Sequence, residues 1–179
     1  MAIATPPKMA TLFLGVMFTS EEMRDQSLAL FIKQYGPIVS QAGPFSFSEF
    51  SSYYDKEIGG TVYKEYYLFE QPIHRESLAD IKEFTNSIEQ IFATEGNRPV
   101  NLDPGYLASD KFVLASAKDF SHRIYIGKGI YAEVTLHFHQ NKIRFFSWTY
   151  QDYLRPEVQQ FLLEGRTIHS PHKQKSLPK

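Results

Sequence analysis

"TLFLGVMF", residues Thr11 to Phe18, is an unbroken apolar run of strand length. A strand with one face in water alternates polar and apolar side chains. A run with no polar face therefore belongs near the centre of a sheet covered on both sides. Upstream, Met1 to Lys8 reads as a loose arm. Downstream, Thr19 or Ser20 caps a helix opening with Glu21 and Glu22, acidic residues favoured at the positive end of a helix dipole. Met23, Leu28, Phe31 and Ile32 form its apolar stripe, and Gly36-Pro37 ends it.

Further along, "FSFSEFSSYYD" and "TVYKEYYLFE" read as two aromatic strands joined by a "KEIGG" hairpin, with Pro72 closing the second. A second helix spans Glu76 to Thr94, its stripe made of Leu78, Ile81, Phe84, Ile88, Ile91 and Phe92, with Gly96 at its end. "RPVNL" is a short fourth strand. The order β-α-β-β-α-β is the ferredoxin-like split pattern.

Asp103-Pro104-Gly105 reads as a tight turn, proline presetting φ and glycine accepting the positive φ of type II. That leaves Asn101, Asp103 and Tyr106 without a local explanation. "SDKFVLASAKD" reads as a short helix capped by Ser109, with "FVLAS" as a strand the alternative. Three firmer strands follow, "HRIYIG", "IYAEVTLHFH" and "KIRFFSWTY", and "EVQQFLLEG" after Pro156 makes a final helix. The expected fold class is α+β: a ferredoxin-like core, a C-terminal antiparallel three-strand extension and a terminal helix. Residues 1–165 form one domain in this reading. Residues 166–179 are basic, Pro-interrupted and expected to be disordered.

Apolar content of 42% and charged content of 22% are ordinary for a globular chain of 179 residues. Aromatics are high at 15%, with 15 Phe, 11 Tyr and one Trp, which suits a thick core first and a binding surface second. A formal net charge of −1 argues against a general nucleic-acid binder. Without cysteine there are neither disulfides nor thiolate metal sites. "MATLFLGVMF" is too short to cross a bilayer, and no small-residue cleavage site precedes "TSEEMRDQ". The expectation is a mature cytoplasmic chain with no membrane partner.

Ile130 to His139 alternates strictly, Ile130, Ala132, Val134, Leu136 and Phe138 facing one way and Tyr131, Glu133, Thr135, His137 and His139 the other. Turning through Gly127-Lys128-Gly129 pairs Ile126 with Ile130, Ile124 with Ala132, Tyr125 with Tyr131 and Arg123 with Glu133. Turning through Gln140-Asn141 pairs Phe138 with Ile143, Leu136 with Phe145, His137 with Arg144, Glu133 with Trp148 and Tyr131 with Tyr150. A one-residue slip would mix the faces, so the pattern selects this register. One face then collects Arg123, Tyr125, Tyr131, Glu133, His137, Arg144, Trp148 and Tyr150. Such a face can hold an anion by its guanidinium and stack a planar group on its rings. It equally fits a solvated or helix-covered sheet face with cross-strand ion pairs. His137 and His139 with Glu133 could chelate a metal, but no other metal spacing supports that, and none is assigned.

Just before this sheet "AKDFSHR" gathers Lys118, Asp119, His122 and Arg123, cations for phosphate or carboxylate and a histidine able to move a proton near neutral pH. A solvated charge run is the plain alternative. Asp103 joins this group if its turn folds back; otherwise it fixes the turn. The phosphate loop, the dinucleotide fingerprint, the nucleophile elbow and the zinc-protease motif are all missing.

Taken together, "NLDPGY", "KDFSHRIYIGKGIYAEVTL" and "WTYQDY" make the chain resemble the bacterial and archaeal family catalogued as domain of unknown function 4416, up to about Phe161. The resemblance implies that Asn101, Asp103, Gly105, Lys118, Asp119, His122, Arg123, Tyr131, Glu133, Trp148 and Tyr150 belong to the family's motif blocks. Gln151 departs from the proline expected in the last block. Members are often labelled GTP-binding proteins, yet neither a phosphate loop nor the guanine-specifying N-K-x-D is present.

The leading expectation is a domain binding a small anionic, nucleotide-like molecule. Lys118, Arg123 and His122 would meet the anion, Tyr131, Trp148 and Tyr150 would stack, and Asn101 and Asp119 would complete the set. A rival is an acid-base enzyme of phosphate or carboxylate chemistry using His122 with Glu133 or Asp103. A third is an interaction module whose aromatic face meets another protein or a second copy in a homodimer. The sequence names no cofactor.

Overall fold

Every residue of the first strand, β1 (Ala10–Phe18), is buried, and β1 lies between two antiparallel neighbours. The computed structural model describes residue 1 and residues 3–46, 61–94 and 97–169. Among them, one eight-stranded antiparallel sheet and three α-helices make an α+β arrangement. After β1 come α1 (Glu21–Tyr35), β2 (Ile38–Ser46), β3 (Tyr63–Ile73), a 3-10 turn at Arg75–Ser77 and α2 (Leu78–Phe92). Then follow β4 (Val100–Leu107), β5 (Lys111–Ser116), β6 (Ile124–Gly127), β7 (Ile130–His139), β8 (Lys142–Phe145), a 3-10 turn at Gln151–Leu154 and α3 (Pro156–Gly165). The strand order is β2-β3-β1-β4-β5-β7-β6, and β8 shares the outer edge of β7 with β6.

The two faces of β1 feed two cores. Leu12, Leu14, Val16 and Phe18 pack with Phe31 of α1 and with Ile81 and Ile88 of α2. Phe13 faces the other way, among Tyr66, Phe112, Tyr153 and the α3 residues Val158 and Phe161. Full burial of each such side chain is worth about 1.5–3 kcal/mol. Helix α1 starts as its sequence demands, Ser20 Oγ accepting from the Met23 N–H at 3.5 Å, and Gly36 ends it at φ 87°.

Several expected elements are redrawn. Strand β2 begins at Ile38 and runs through Gly43-Pro44, which an edge strand tolerates because its outer side needs no ladder. Beyond Ser46 the expected "FSFSEFSSYYD" strand and its "KEIGG" hairpin lie outside the described residues, as does Gly96. In α2, Ile91 is 65% exposed, while Lys82 and Glu89 occupy the buried stripe.

Asp103-Pro104-Gly105 is not a turn. It lies within β4, held by a continuous ladder to β1 from Thr11–Leu107 to Phe18–Val100. Eight pairings outweigh a local turn preference, and Gly105 is not among the glycines with positive φ. Its need for glycine is steric: a Cβ would collide with the Val113 carbonyl oxygen and sit 2.9 Å from Leu114 Cδ2. Lys111–Ser116 is a strand rather than a helix, because β4 and β7 flank it and its four central residues are buried.

The expected hairpin pairs Ile124–Ala132, Tyr125–Tyr131, Phe138–Ile143, Leu136–Phe145 and His137–Arg144 are present. Gly127 instead of Ile126 opposes Ile130, after a bulge. A second bulge breaks the alternation of β7. Phe112 opposes Leu136 but Val113 opposes Val134, so Thr135 is an extra residue. Glu133 and Leu136 therefore share one face, while His137, and with it Arg144, turns to the other. Strand β8 stops at Phe145, so Trp148 and Tyr150 are not strand partners of Glu133 and Tyr131. Arg166 to His169 continue α3 as a turn, the Arg166 N–H reaching Leu162 O and the Ile168 N–H reaching Gly165 O.

Candidate functional site

Strands β4 and β5 pair at Leu107–Phe112, Tyr106–Val113 and Gly105–Leu114, and no further. The next residue of β4 is Pro104, which has no N–H for a ladder. Leu102 turns its backbone groups the same way as Pro104, two residues on, and there side chains of α2 stand in for a strand. Lys82 Nζ donates to Leu102 O at 2.8 Å, and Glu89 Oε1 accepts from the Leu102 N–H at 2.7 Å. Buried backbone groups must find partners, and these two charged residues supply them. That is why charges stand in the apolar stripe of α2. The parted strands leave a cavity of about 530 Å³, a size usual for small-molecule sites.

On the β4 side, Asp103 Oδ2 accepts from Asn101 Nδ2 at 2.8 Å, and Asp103 Oδ1 lies 3.5 Å from Lys82 Nζ. Asp103 thus faces Asn101 and Lys82 instead of fixing a turn. Glu89 Oε2 accepts from Arg98 Nη1 at 2.7 Å. Burial pushes the Glu89 carboxyl above its ordinary value, against the pull of Lys82, the Leu102 N–H and Arg98. At the floor, Asp152 Oδ2 accepts from Lys64 Nζ at 2.7 Å and from the Tyr66 hydroxyl at 2.5 Å. Burial works to lower the Lys64 ammonium, but Asp152 together with Tyr66, Tyr153 and Asp103 outweighs it and holds the group well above its ordinary value.

The opposite wall is organised by Arg123. Its Nε donates to Glu133 Oε2 at 2.7 Å, its Nη1 to Ser116 Oγ and to Lys118 O at 2.9 Å each, and its Nη2 to the Tyr150 hydroxyl at 3.0 Å. Four of the five guanidinium donors are spent within the chain. Burial would lower its pKa, but Glu133 and Tyr150 outweigh that and raise it. Glu133, fully surrounded, also takes Thr135 Oγ1 at 3.2 Å and lies 3.2 Å from His122 Nε2.

Trp148 closes this side by filling a gap in the sheet edge. Strand β6 covers β7 at Ile130–Ala132 and β8 covers it at Leu136–His139. Between them, Trp148 Nε1 donates to Val134 O at 3.0 Å and Thr149 Oγ1 to Thr135 O at 2.5 Å. The indole lies parallel to both Phe146, 4.6 Å away, and His122, 5.1 Å away. Its stacking partners are thus rings of this chain.

Of the residues anticipated from sequence, Asn101, Asp103, Lys118, Arg123, Glu133, Trp148 and Tyr150 line the one cavity. His122, Asp119 and Tyr131 do not; His122 backs Glu133, Asp119 is exposed, and Tyr131 packs against Tyr125 at 5.4 Å. The exposed Lys118 has no side-chain ion pair or hydrogen bond among the described residues. Lys64, Lys82, Asn86, Arg98, Ser116 and Asp152 line the cavity without having been anticipated. The spacing of Lys82 and Glu89 with Leu78, Ile81 and Ile88 on one helix face was the available signal. Among the described residues no His, Asp and Glu side chains gather as metal ligands, and no helix is long and apolar enough to cross a membrane.

The chain matches the family model described as Domain of unknown function (DUF4416) over residues 8–169, and it belongs to that family. No curated protein and no solved structure matches it.

Proposed function

We propose that this DUF4416 family member binds a small anionic metabolite of the cytoplasm, bearing phosphate or carboxylate groups, in the cavity where β4 and β5 part. The observation that carries the reading is charge: Lys64, Lys82, Arg98, Lys118 and Arg123 line it against Asp103, Glu133 and Asp152. Donor counting then divides the labour. Arg123 is largely committed to Glu133, Ser116, Lys118 O and Tyr150, so it acts as the frame of the wall. Lys118 makes the principal anion contact. Lys82, whose ammonium has three donors and one short acceptor, makes a second from the other side. Asn86 and Asn101 offer amides to neutral parts of the ligand, and Tyr150 offers its ring. A nucleotide stays within this class by size and charge, held without a phosphate loop. The strand order β2-β3-β1-β4 around α1 and α2 supports reading the first half as a ferredoxin-like core, with the cavity built where the extension joins it.

The 3.2 Å contact between His122 and Glu133 favours a second reading, acid-base chemistry with Glu133 orienting His122. Thermal shift with inorganic phosphate, pyrophosphate, citrate, AMP and GMP tests the binding reading, and release of inorganic phosphate from pyrophosphate or AMP tests for turnover. Stabilisation by at least one anion, absent in Lys118→Ala, is expected. Stabilisation by none of them would sink the binding reading.

A further inference from the structure

At the far end of β4, where its last residue Leu107 meets the start of β1 and the turn after α3, lies a crevice of about 20 Å³. Lys8, Arg75, Arg166 and His169 converge on it from three separate segments, and among the described residues no carboxylate lines it. Two of their nitrogens, Arg75 Nε and His169 Nε2, are buried and have no hydrogen-bond partner among the described residues. Buried N–H groups almost always have an acceptor, so the orphaned Arg75 Nε–H calls for one. A water would satisfy a donor but leave the converging positive charge uncompensated. An anion does both.

We propose that this crevice is a second anion site, separate from the cavity, which takes an oxygen of a phosphate-type oxyanion. Its space suits about one water-sized group. The anion therefore seats one oxygen inside and keeps its body in solvent. Arg75 is the anchor. Its guanidinium lies 5.8 Å from the Tyr106 ring, a surface that orients the group without competing for its hydrogen bonds. Arg166 contributes charge from a fixed position, since its Nη2 already donates to Gln140 O at 2.6 Å. Ser109 lines the crevice with a hydroxyl able to donate to a second oxygen. Free phosphate and the terminal phosphate of a larger molecule share this chemistry, and the crevice distinguishes them only by what it leaves outside.

Titration calorimetry of the full chain at constant ionic strength provides the test, with inorganic phosphate, phenyl phosphate and chloride as probes. Phosphate should bind wild type and Lys118→Ala at this site alike, and about tenfold or more weakly to Arg75→Gln, as expected for loss of a charge-assisted contact. Arg166→Gln should weaken it less, and provides the readout if Arg75→Gln fails to fold by circular dichroism. Phenyl phosphate binding as well as phosphate would assign the site to terminal phosphates; phenyl phosphate excluded would assign it to the free ion. The proposal is overturned if wild type shows no saturable phosphate binding, if chloride competes equally, or if phosphate binding is lost only in Lys118→Ala.

Discussion

Two buried arginine–glutamate pairs serve opposite ends in this molecule. On the helix side, Arg24 of α1 places Nη1 at 2.7 and 2.6 Å from the two Glu65 oxygens of β3, with Asp25 on its Nε and Phe18 under its guanidinium at 5.0 Å. The pair clasps a helix to a strand. Arg123 gives Glu133 only its Nε and spreads its other donors over Ser116, Lys118 O and Tyr150. The same chemistry that closes a packed layer in one place holds a cavity wall open in the other. In the proposed binding reading, a frame of this kind leaves anion recognition to its neighbours. The most suitable is Lys118, whose backbone oxygen Arg123 fixes and whose ammonium Arg123 does not use.

The largest expected effect separates the pairs by burial. Side-chain exposures are 6% and 2% for Arg123 and Glu133, against 17% and 7% for Arg24 and Glu65. Glu133→Ala strands Arg123 and should cost about 3–5 kcal/mol in urea unfolding. Glu65→Ala leaves Arg24 with Asp25 and partial solvent, so about 1.5–3 kcal/mol is expected. If the Glu65 variant proved the more costly, the contrast between clasp and frame would be broken.

A smaller loss is expected where the two regions join. Gly105→Ala drives a methyl against Val113 O and Leu114, and overpacking of this sort costs about 1–3 kcal/mol. Because the cause is steric, Leu114→Ala in the same chain should recover part of the Gly105→Ala loss; strict additivity in a double-mutant cycle would point elsewhere.

The smallest effect concerns Glu89, the carboxylate that takes over a ladder bond from β5. Its carboxyl is raised by burial in the folded chain. A group raised on folding adds stability below its unfolded value, about 4.3, and loses it as pH rises through the folded value. The stability of wild type relative to Glu89→Gln should therefore shrink from acid toward neutral pH. A difference that grows with pH would mean that Arg98 and Lys82 dominate instead.

What the sequence made legible was whatever alternation and capping express locally. The uninterrupted run at β1, the Ser20 cap, the Gly36 stop and most pairs of the last hairpins follow from side-chain pattern alone. The bulge at Thr135 was illegible because Val134 and Leu136 are both apolar and satisfy either face. Proline and glycine at 104 and 105 suggested a turn because the pattern could not show a ladder to β1 on one side and a parting strand on the other. An apolar run as short as "FVLAS" does not tell helix from strand. The cavity was half visible. Its aromatic and basic wall comes from contiguous motifs, whereas Lys64 meets Asp152 across 88 residues of chain and carries no local sign of that partner.

Trp148 is the single tryptophan of the chain and stands in the cavity wall, so its fluorescence reports on that space without a label. The central claim is tested most directly by titrating phosphate, pyrophosphate, citrate, AMP and GMP against wild type, Lys118→Ala and Arg24→Gln while following it. A saturable change with at least one anion is predicted, its affinity falling about tenfold or more in Lys118→Ala and staying unchanged in Arg24→Gln. No saturable change with any of them, or one that persists undiminished in Lys118→Ala, would contradict the account.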